Sequence, residues 1–324
     1  MGISRSMMNY RPEIKVLDAT IRDGGLVNNF DFSDEFIRDL YKANVKAGVD
    51  YMEFGYKASK EIFDVNKFGK WKFCDEDALR DIVGDNVSDM KIAVMADVGR
   101  CDYKNDIVNR NESVIDMIRV ATYINTMPAA IDMIEDAVKK GYETTCNIMA
   151  VSNASESDLD VGLEMLAKSP VDAIYIVDSY GSIYPEQMRV LADKYMEIGA
   201  KYGKEIGIHA HNNQQLAFAN TIECVSRGVN YLDATMSCMG RGAGNCAMEL
   251  LLGFLKNPKY NLFPVLQFIE KHITALKEQG IVWGYDIQYM LTGRLNQHPS
   301  SAIDFTKEQR NDYAEYYQWL LERE

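Results

Sequence analysis

The sequence is poor in residues that mark several common protein classes. Six cysteines are scattered through 324 residues, and no two of them form a CxxC pair. A disulfide framework or a cysteine-rich zinc module is therefore not expected, and reduced thiols in a cytoplasmic protein are the simplest interpretation. The chain also lacks any apolar run of about eighteen residues, so we expect no membrane-spanning helix.

Positive charge is in deficit as well. Lysine and arginine number 35 against 48 aspartates and glutamates, which gives a formal net charge of −13. General nucleic-acid binders and binders of anionic membranes need a basic face, so we predict neither partner, although a local anion pocket is compatible with this balance. The opening residues MGISRSMMNYRPEIK hold no apolar core and predict no secretory signal.

What the sequence does contain is a repeated alternation of short apolar runs and amphipathic stretches. Eight runs have the length and near-continuous hydrophobicity of strands in a parallel sheet that is covered on both faces. Helical patterns lie between most of them, as at 33–48, where Ser33 is a plausible N-cap and Gly48 a stop signal. The link 98–113 shows little helical periodicity. The predicted strands span 14–20, 49–56, 91–97, 114–122, 144–152, 172–181, 205–212 and 231–240.

Eight strands alternating with helices predict an α/β fold of the (β/α)8 TIM-barrel type. A doubly wound open sheet is the alternative. No glycine-rich phosphate turn follows the first strand, which argues against a dinucleotide-binding version of that alternative. We therefore predict a barrel domain over residues 1–256 and a C-terminal helical extension, 257–324, that packs on the barrel.

Polar residues cluster at the predicted strand ends. In a barrel of this kind the active site lies at the C-terminal ends of the strands, so these residues are candidates for chemistry. Asp178 could equally cap the following helix, and Glu53 could pair with nearby Lys57. The candidates are Asp18, Arg22, Asp23, Glu53, Asn147, Asp178, Ser179, His209, His211 and Asn245.

The run EIGIHAHNN at 205–213 is the strongest single signal, because the chain has only four histidines. His209 and His211 are two residues apart, so on a strand they point to the same side. Closure of the barrel brings the first strand beside the eighth, which places Asp23 well as a third ligand. Two histidines and one carboxylate suit a mid-row or hard divalent metal. The alternative is a pair of buried histidines bonded to the backbone.

Two further features point to an anionic substrate. Arg22 adjoins the predicted metal site, and a guanidinium there suits neutralisation of an enolate or a carboxylate. The segment GRGAGN at 240–245 places flexible glycines before Asn245, where backbone amides can approach an anion closely.

Taken together, these motifs resemble the metal-dependent barrel superfamily that contains 4-hydroxy-2-oxovalerate aldolase, 3-hydroxy-3-methylglutaryl-CoA lyase and 2-isopropylmalate synthase. The matching pieces are DATIRDG at 18–24, Glu53, HAHNN at 209–213 and GRGAGN at 240–245. The resemblance implies a TIM barrel with a bound Mn²⁺ or Mg²⁺. It makes Asp23, His209 and His211 the metal ligands, with Asn245 a further ligand or a neighbour of the ligands. Arg22 would then stabilise an enolate, and Glu53 would hold Arg22 or a metal-bound water.

Within the superfamily the resemblance favours the aldolases. DSYG at 178–181 is similar to their DSGG, in which the serine touches the keto acid, and Ser179 is the matching position. The segment SCMGRGAGN is too short for the cysteine-bearing loop of the CoA lyases. We therefore predict a lyase that cleaves or forms a 4-hydroxy-2-oxo acid from a 2-oxo acid and an aldehyde. Asn147, Asp178 and Ser179 are its predicted substrate-binding residues, together with Arg22.

One departure from the aldolase pattern is clear. Leu26 stands where the aldolases carry a histidine that acts as base. Tyr285, Tyr289 and His298 of the extension are candidate replacements, and we take Tyr285 as the predicted catalytic group. The extension does not resemble the segment by which the aldolases dock a dehydrogenase, so that partner is doubtful, and a homodimer stays open. The alternative functions are an acyl-CoA Claisen-type synthase or lyase and a non-catalytic metal-binding relative.

Overall fold

The computed structural model describes residues 11–323, so the first ten residues of the predicted barrel domain lie outside the described residues. Within that range eight parallel strands form a closed barrel in which each strand pairs with the next along the chain and β1 pairs with β8. The TIM-barrel prediction is confirmed, and closure excludes the open doubly wound sheet. The strands are β1 Lys15–Asp18, β2 Tyr51–Tyr56, β3 Lys91–Asp97, β4 Met117–Thr122, β5 Glu143–Ile148, β6 Ala173–Asp178, β7 Glu205–Ala210 and β8 Tyr231–Ala234.

Helices surround the barrel and continue beyond β8. No helix between residues 11 and 323 is long and apolar enough to cross a membrane. The helices are α1 Thr20–Asn28, α2 Asp34–Ala47, α3 Glu76–Val83, α4 Tyr103–Asp106, α5 Met127–Lys139, α6 Glu156–Lys168, α7 Pro185–Tyr202, α8 Ala217–Arg227, α9 Met248–Leu255, α10 Leu262–Phe268, α11 Thr274–Glu278, α12 Ile287–Arg294, α13 Ser300–Lys307 and α14 Tyr313–Leu321.

Local sequence signals set the ends of α2 as predicted. The Ser33 hydroxyl accepts a hydrogen bond from the backbone N–H of Phe36 at 3.2 Å, which caps the first turn. Gly48 ends the helix in the left-handed conformation with φ of 74°, which glycine adopts without steric cost. A Cβ atom at this position would also lie 2.3 Å from the carbonyl oxygen of Lys259. Gly48 is therefore required both by the helix end and by the packing of the chain that follows α9.

The prediction for the first strand was wrong in extent. β1 ends at Asp18 and not at residue 20, because the Asp18 carboxylate accepts hydrogen bonds from the backbone N–H and the hydroxyl of Thr20 and so starts α1. Arg22 and Asp23 consequently lie in the first turns of a helix and not on a strand end. The weak helical pattern at 98–113 is reflected in the short α4 and one 3₁₀ turn, Arg110–Glu112.

The chain after β8 first packs against the side of the barrel and then crosses its mouth. α10 lies on α2, with the rings of Phe36 and Phe268 at 5.0 Å between centroids. Farther on, the Trp283 indole donates to the Ser237 carbonyl at 3.0 Å, and the backbone N–H of Gly284 donates to Gly242 at 2.9 Å. The predicted helical extension is confirmed, whereas its boundary at residue 257 stays a prediction.

The interior of the barrel is layered. Tyr231 lies between Tyr51 and Tyr175, with ring centroids 6.0 and 6.4 Å away. These three rings fill the end of the barrel nearer the start of its strands. Glu53 and Asp233 follow two residues after Tyr51 and Tyr231, so their side chains point inward as well and lie one layer nearer the mouth. An aromatic floor therefore supports a charged layer.

Gly55 offers a test of how β2 is built. It has φ of +150°, and a Cβ there would lie 1.9 Å from the Trp71 carbonyl oxygen. We expect Gly55→Ala to lower the free energy of unfolding by about 1–3 kcal/mol, because the strand must shift to relieve the overlap. Gly253→Ala is the matched control, since a Cβ in that part of α9 meets nothing within 4 Å. Urea unfolding of both variants is the measurement, and equal stability of the two would contradict this account.

Candidate metal centre and active site

Three predicted ligands meet at the mouth of the barrel. Asp23 of α1, His209 of β7 and His211 directly after β7 are all buried, and each offers one ligand atom within 4.8 Å of the others. The segment after β7 is held in place by an isolated bridge between His211 and Asn245. The pairing of β1 with β8, next to β7, is what brings α1 to the histidines.

The protonation states of this set suit metal binding. Burial lowers the pKa of His211 to about 3, in spite of the nearby Asp23 carboxylate, so the imidazole is neutral at ordinary pH. Burial alone would raise the pKa of Asp23, but His211 and Arg22 lower that pKa well below its usual range. A neutral imidazole and an ionised carboxylate are the forms that bind a metal.

His209 is oriented by a carboxylate that was not among the predicted site residues. Its Nδ1 lies 3.0 Å from Asp233 Oδ2, so Nδ1–H donates and Nε2 is left as the free ligand atom. A carboxylate behind a metal-binding histidine is the usual way to fix its ring and tautomer. Burial raises the pKa of Asp233, but Arg119 and His209 outweigh burial and lower it.

Asn245 lies against the same set. Its side-chain amide donates to Asp23 Oδ2 and to the Met239 carbonyl, while its Oδ1 is buried without a hydrogen-bond partner anywhere in residues 11–323. A Cβ on Gly240 would lie 2.1 Å from the Asn245 amide nitrogen and 2.7 Å from Asp23 Oδ2, so the first glycine of GRGAGN leaves room for this contact. Two imidazoles, one carboxylate and a neighbouring unpaired amide oxygen fit a divalent cation such as Mn²⁺ or Mg²⁺.

Arg22 is fixed beside the metal set by two carboxylates. Its Nε donates to Glu53 Oε2 at 2.8 Å and its Nη1 to Asp23 Oδ1 at 3.2 Å. Its Nη2 lies 3.4 Å from His209 Nε2, so the guanidinium points at the ligands. Burial lowers the pKa of Arg22, but Glu53 and Asp23 outweigh burial and raise it. The cation is therefore permanent and preorganised.

Arg119 of β4 was not predicted, although it connects the site. The side chain is completely buried, and it donates to Glu53 Oε2 at 2.8 Å and to Asp233 Oδ2 at 2.7 Å. Its guanidinium also stacks on Tyr175, 4.6 Å from the ring centroid. A signal was present in the sequence, because an arginine in the middle of the apolar strand MIRVAT needs buried partners.

The cavity above these groups has a polar end and an apolar wall. Asn147 and Ser179, both predicted, line it, and so do Tyr56 and Arg241, which were not predicted. Leu26 also lines it, where the aldolase pattern expects a histidine. The complete lining is Arg22, Asp23, Leu26, Tyr56, Met95, Ala121, Asn147, Met149, Val177, Ser179, His209, His211 and Arg241.

Five predicted site residues lie outside this lining, namely Asp18, Glu53, Asp178, Asn245 and Tyr285. The Asp178 carboxylate accepts hydrogen bonds from the backbone N–H groups of Ser182 at 2.9 Å and Ile183 at 3.3 Å, so it shapes the loop before α7. Tyr285 is 49% exposed and is not part of the cavity lining.

The other two candidates for the missing base are likewise outside the lining. Tyr289 is buried and packs over Gly242, and its hydroxyl accepts from the Thr306 hydroxyl at 3.3 Å. His298 reaches the cavity only indirectly, through a contact of 3.1 Å between its Nε2 and Nη1 of Arg241.

Known proteins resemble this chain over most of its length. The HMGL-like family model matches residues 13–274. The 4-hydroxy-2-oxovalerate aldolase of Bacillus cereus is 26% identical over 256 residues, which are 78% of this chain and 73% of that protein. The oxaloacetate decarboxylase of Mycobacterium tuberculosis is 29% identical over 247 residues, 74% of this chain and 69% of that protein.

Solved structures agree in fold. The N-terminal domain of a proposed aldolase from Bacteroides vulgatus superimposes with a TM-score of 0.78 at 28% identity, over 90% of this chain and 96% of that one. The HMG-CoA lyase of Bacillus subtilis gives a TM-score of 0.65 at 15% identity, over 84% of this chain and 96% of that one.

The metal set can be tested through the residue behind it. We expect His211→Ala to abolish Mn²⁺ binding, because a ligand is lost. We expect Asp233→Asn to weaken Mn²⁺ binding by roughly 10- to 100-fold, because Asp233 only orients the ligand His209. Titration calorimetry with Mn²⁺ is the measurement. His272→Ala, which alters a histidine paired with Asp39 on the outside of the barrel, is the control. Undiminished Mn²⁺ binding by His211→Ala would refute the assigned ligands.

Proposed function

The chain belongs to the HMGL-like family, and on that premise we propose that it is a metal-dependent aldolase that cleaves or forms a 4-hydroxy-2-oxo acid. The observation that carries the proposal is the buried set of Asp23, His209 and His211 with the guanidinium of Arg22 fixed against it. A metal-binding role alone needs the first three residues but gives no reason for a buried arginine aimed at them.

The metal ligands in this proposal are Asp23, His209 and His211, with Asn245 as a further ligand or as the hydrogen-bond partner of Asp23. Mn²⁺ or Mg²⁺ bound there would act as a Lewis acid that polarises the ketone of a 2-oxo acid. His209 keeps Nε2 directed at the site because Asp233 holds its Nδ1, and His211 stays neutral because it is buried.

In this proposal Arg22 stabilises the negative charge on the enolate oxygen. Its position is set before substrate arrives, because Glu53 and Asp23 hold two of its nitrogens. A donor that is already oriented in a buried site pays no reorganisation when charge develops in the transition state. Glu53 thus acts through Arg22, and its own position is fixed by Arg119.

Ser179 and Asn147 offer hydrogen-bond donors to the 2-oxo acid. The Ser179 hydroxyl oxygen accepts from the backbone N–H of Ala150 at 2.8 Å, which leaves its own proton free to donate into the cavity. Asn147 Oδ1 accepts from the Thr145 hydroxyl at 3.2 Å, which directs the amide N–H₂ away from that contact. Both groups therefore present protons that carboxylate or keto oxygens can accept.

Tyr56 is the group that we assign to proton transfer in place of the missing histidine. It lines the cavity together with Leu26, and its hydroxyl has no hydrogen-bond partner within the described part of the chain. Burial raises the pKa of Tyr56, although Arg22 opposes this effect. The phenol is therefore protonated and suited to donate its proton to the aldehyde oxygen when the carbon–carbon bond forms, which leaves a phenolate. Cleavage is the reverse of this step, in which that phenolate takes the proton of the 4-hydroxyl group.

A second candidate function, decarboxylation of a 2-oxo dicarboxylic acid, is favoured by Leu26. Loss of CO₂ from such a substrate yields the same type of enolate without any base to deprotonate a hydroxyl group, so a leucine at that position is no obstacle. The similarity to an oxaloacetate decarboxylase agrees with this alternative.

A substrate panel distinguishes these functions. We expect Mn²⁺-dependent release of pyruvate from at least one 4-hydroxy-2-oxo acid, measured with lactate dehydrogenase, and its loss in the His209→Ala/His211→Ala double variant. Release from oxaloacetate alone would favour the decarboxylase. Consumption of acetyl-CoA with a 2-oxo acid would favour a Claisen-type synthase. Intact Mn²⁺ binding with no turnover on the whole panel would favour the non-catalytic relative.

Substitution of Arg22 should lower the reaction rate far more than it weakens metal binding. We expect Arg22→Gln to lower kcat by about 100-fold or more, corresponding to about 3 kcal/mol, because one preorganised donor to the enolate is lost. Its Mn²⁺ affinity should change much less than that of His211→Ala. Arg80→Gln, a substitution of a surface arginine that pairs with Asp85, is the control. A kcat equal to that of the unaltered protein would remove the role of Arg22.

A further inference from the structure

Arg241 differs from the other two arginines of the site in having no carboxylate partner. Arg22 and Arg119 each contact two carboxylates at 3.2 Å or less. Arg241 lines the same cavity, yet within residues 11–323 it forms no salt bridge. An unpaired guanidinium beside a metal set is a charge that a ligand can use.

Neutral groups hold Arg241 in place. Nη1 lies 3.1 Å from Nε2 of His298, and Nη2 donates to the carbonyl oxygen of Ser179 at 3.2 Å. Nε is buried and has no hydrogen-bond partner in the described part of the chain. Loss of hydration and the charge of Arg241 lower the pKa of His298, so its imidazole is neutral and accepts the bond. These contacts orient the guanidinium without cancelling its charge.

The net charge of the site is compatible with the additional positive charge of Arg241. Carboxylates outnumber guanidinium groups by three to two in the connected network, namely Asp23, Glu53 and Asp233 against Arg22 and Arg119. A divalent metal turns this excess of one negative charge into one positive charge, and Arg241 adds another. Two positive charges match a 2-oxo acid at the enolate stage, which carries a carboxylate and an enolate oxygen.

Position decides which part of the substrate Arg241 meets. It is bonded to the backbone of Ser179, whose hydroxyl faces the same cavity, so Arg241 belongs to the polar end. The rest of the cavity wall is formed largely by apolar side chains, among them Leu26, Met95 and Val177. The planar guanidinium of an arginine presents N–H donors that bind both oxygens of a carboxylate, and no other side chain matches carboxylate geometry as well.

We propose that Arg241 binds the carboxylate of the 2-oxo acid and that His298, from the segment that crosses the barrel mouth, is the positioning residue for it. The inference rests on the proposed function and extends it to the substrate class. The acid carries one carboxylate, which Arg241 binds beside Ser179. The half of the substrate that becomes the aldehyde is short and uncharged, because it lies against the apolar wall of the cavity.

Oxalate, a planar analogue of the pyruvate enolate, is the probe for this assignment. With Mn²⁺ bound, we expect Arg241→Gln to weaken oxalate binding by roughly 10- to 100-fold, since a charge-assisted hydrogen bond is lost. Its Mn²⁺ affinity should stay within about twofold of the unaltered protein, and Arg241→Lys should fall between the two. Arg294→Gln, which alters an exposed arginine of α12 outside the cavity lining, is the matched control.

Two variants test whether His298 positions Arg241 for oxalate binding. His298→Ala should weaken oxalate binding by about threefold to tenfold, whereas His298→Gln, which keeps a neutral acceptor, should restore most of the affinity. A merely structural role would not distinguish these two variants at unchanged melting temperature. Oxalate binding that is equal in Arg241→Gln and in the unaltered protein would overturn the assignment while leaving the proposed function intact. Absence of Mn²⁺-dependent oxalate binding in the unaltered protein would overturn both.

Discussion

The buried guanidinium of Arg119 is the interaction on which the active end of this barrel depends. It bonds Glu53 and Asp233, and through them it fixes Arg22 on one side and His209 on the other. Burial lowers the pKa of Arg119, but Asp233 and Glu53 outweigh burial and raise it, so the cation is retained inside the protein. Breaking a buried pair by removing one partner costs about 3–5 kcal/mol. One side chain therefore fixes the positions of both His209 and Arg22.

The layering of the barrel explains why such a network can exist there. Inward-facing positions alternate along each strand, so Tyr51 is followed by Glu53 and Tyr231 by Asp233, one layer nearer the mouth. The tyrosine floor separates the charged layer from solvent at the opposite end of the barrel, and Arg119 stacks on Tyr175 of that floor. In such a water-poor interior the ion pairs are stronger than at a surface, and unpaired charges are correspondingly costly. Removal of one charged member would therefore leave its partners as unpaired buried charges, so the members of the network stabilise the fold only together.

The sequence predicts what is encoded locally and misses what is assembled across strands. The eight strands, the caps of α2 and the close approach of Asp23, His209 and His211 follow from periodicity, capping residues and the HAHNN motif. The helical start of α1 was missed because the turn formed by Asp18 and Thr20 lies inside an apolar run. Arg119 and Asp233 are 114 residues apart in the chain, and no local pattern links them. Arg241 and Tyr56 escaped notice because glycines and apolar strand residues surround them. Tyr285 is 49% exposed and lies outside the cavity lining, so its catalytic role stays a prediction.

The crossing of the mouth by the chain after α11 has a consequence for how the protein is made. Contacts from Trp283, Gly284 and His298 to the loops after β8 form only when those residues have left the ribosome. At about 5–20 residues per second, synthesis of that segment lags behind the barrel strands by an interval on the order of seconds. During this interval the ligands after β7 face an open mouth. Asp23, His209 and His211 can thus come together before the last part of the chain orients Arg241, so the order of synthesis is also an order of assembly for the site.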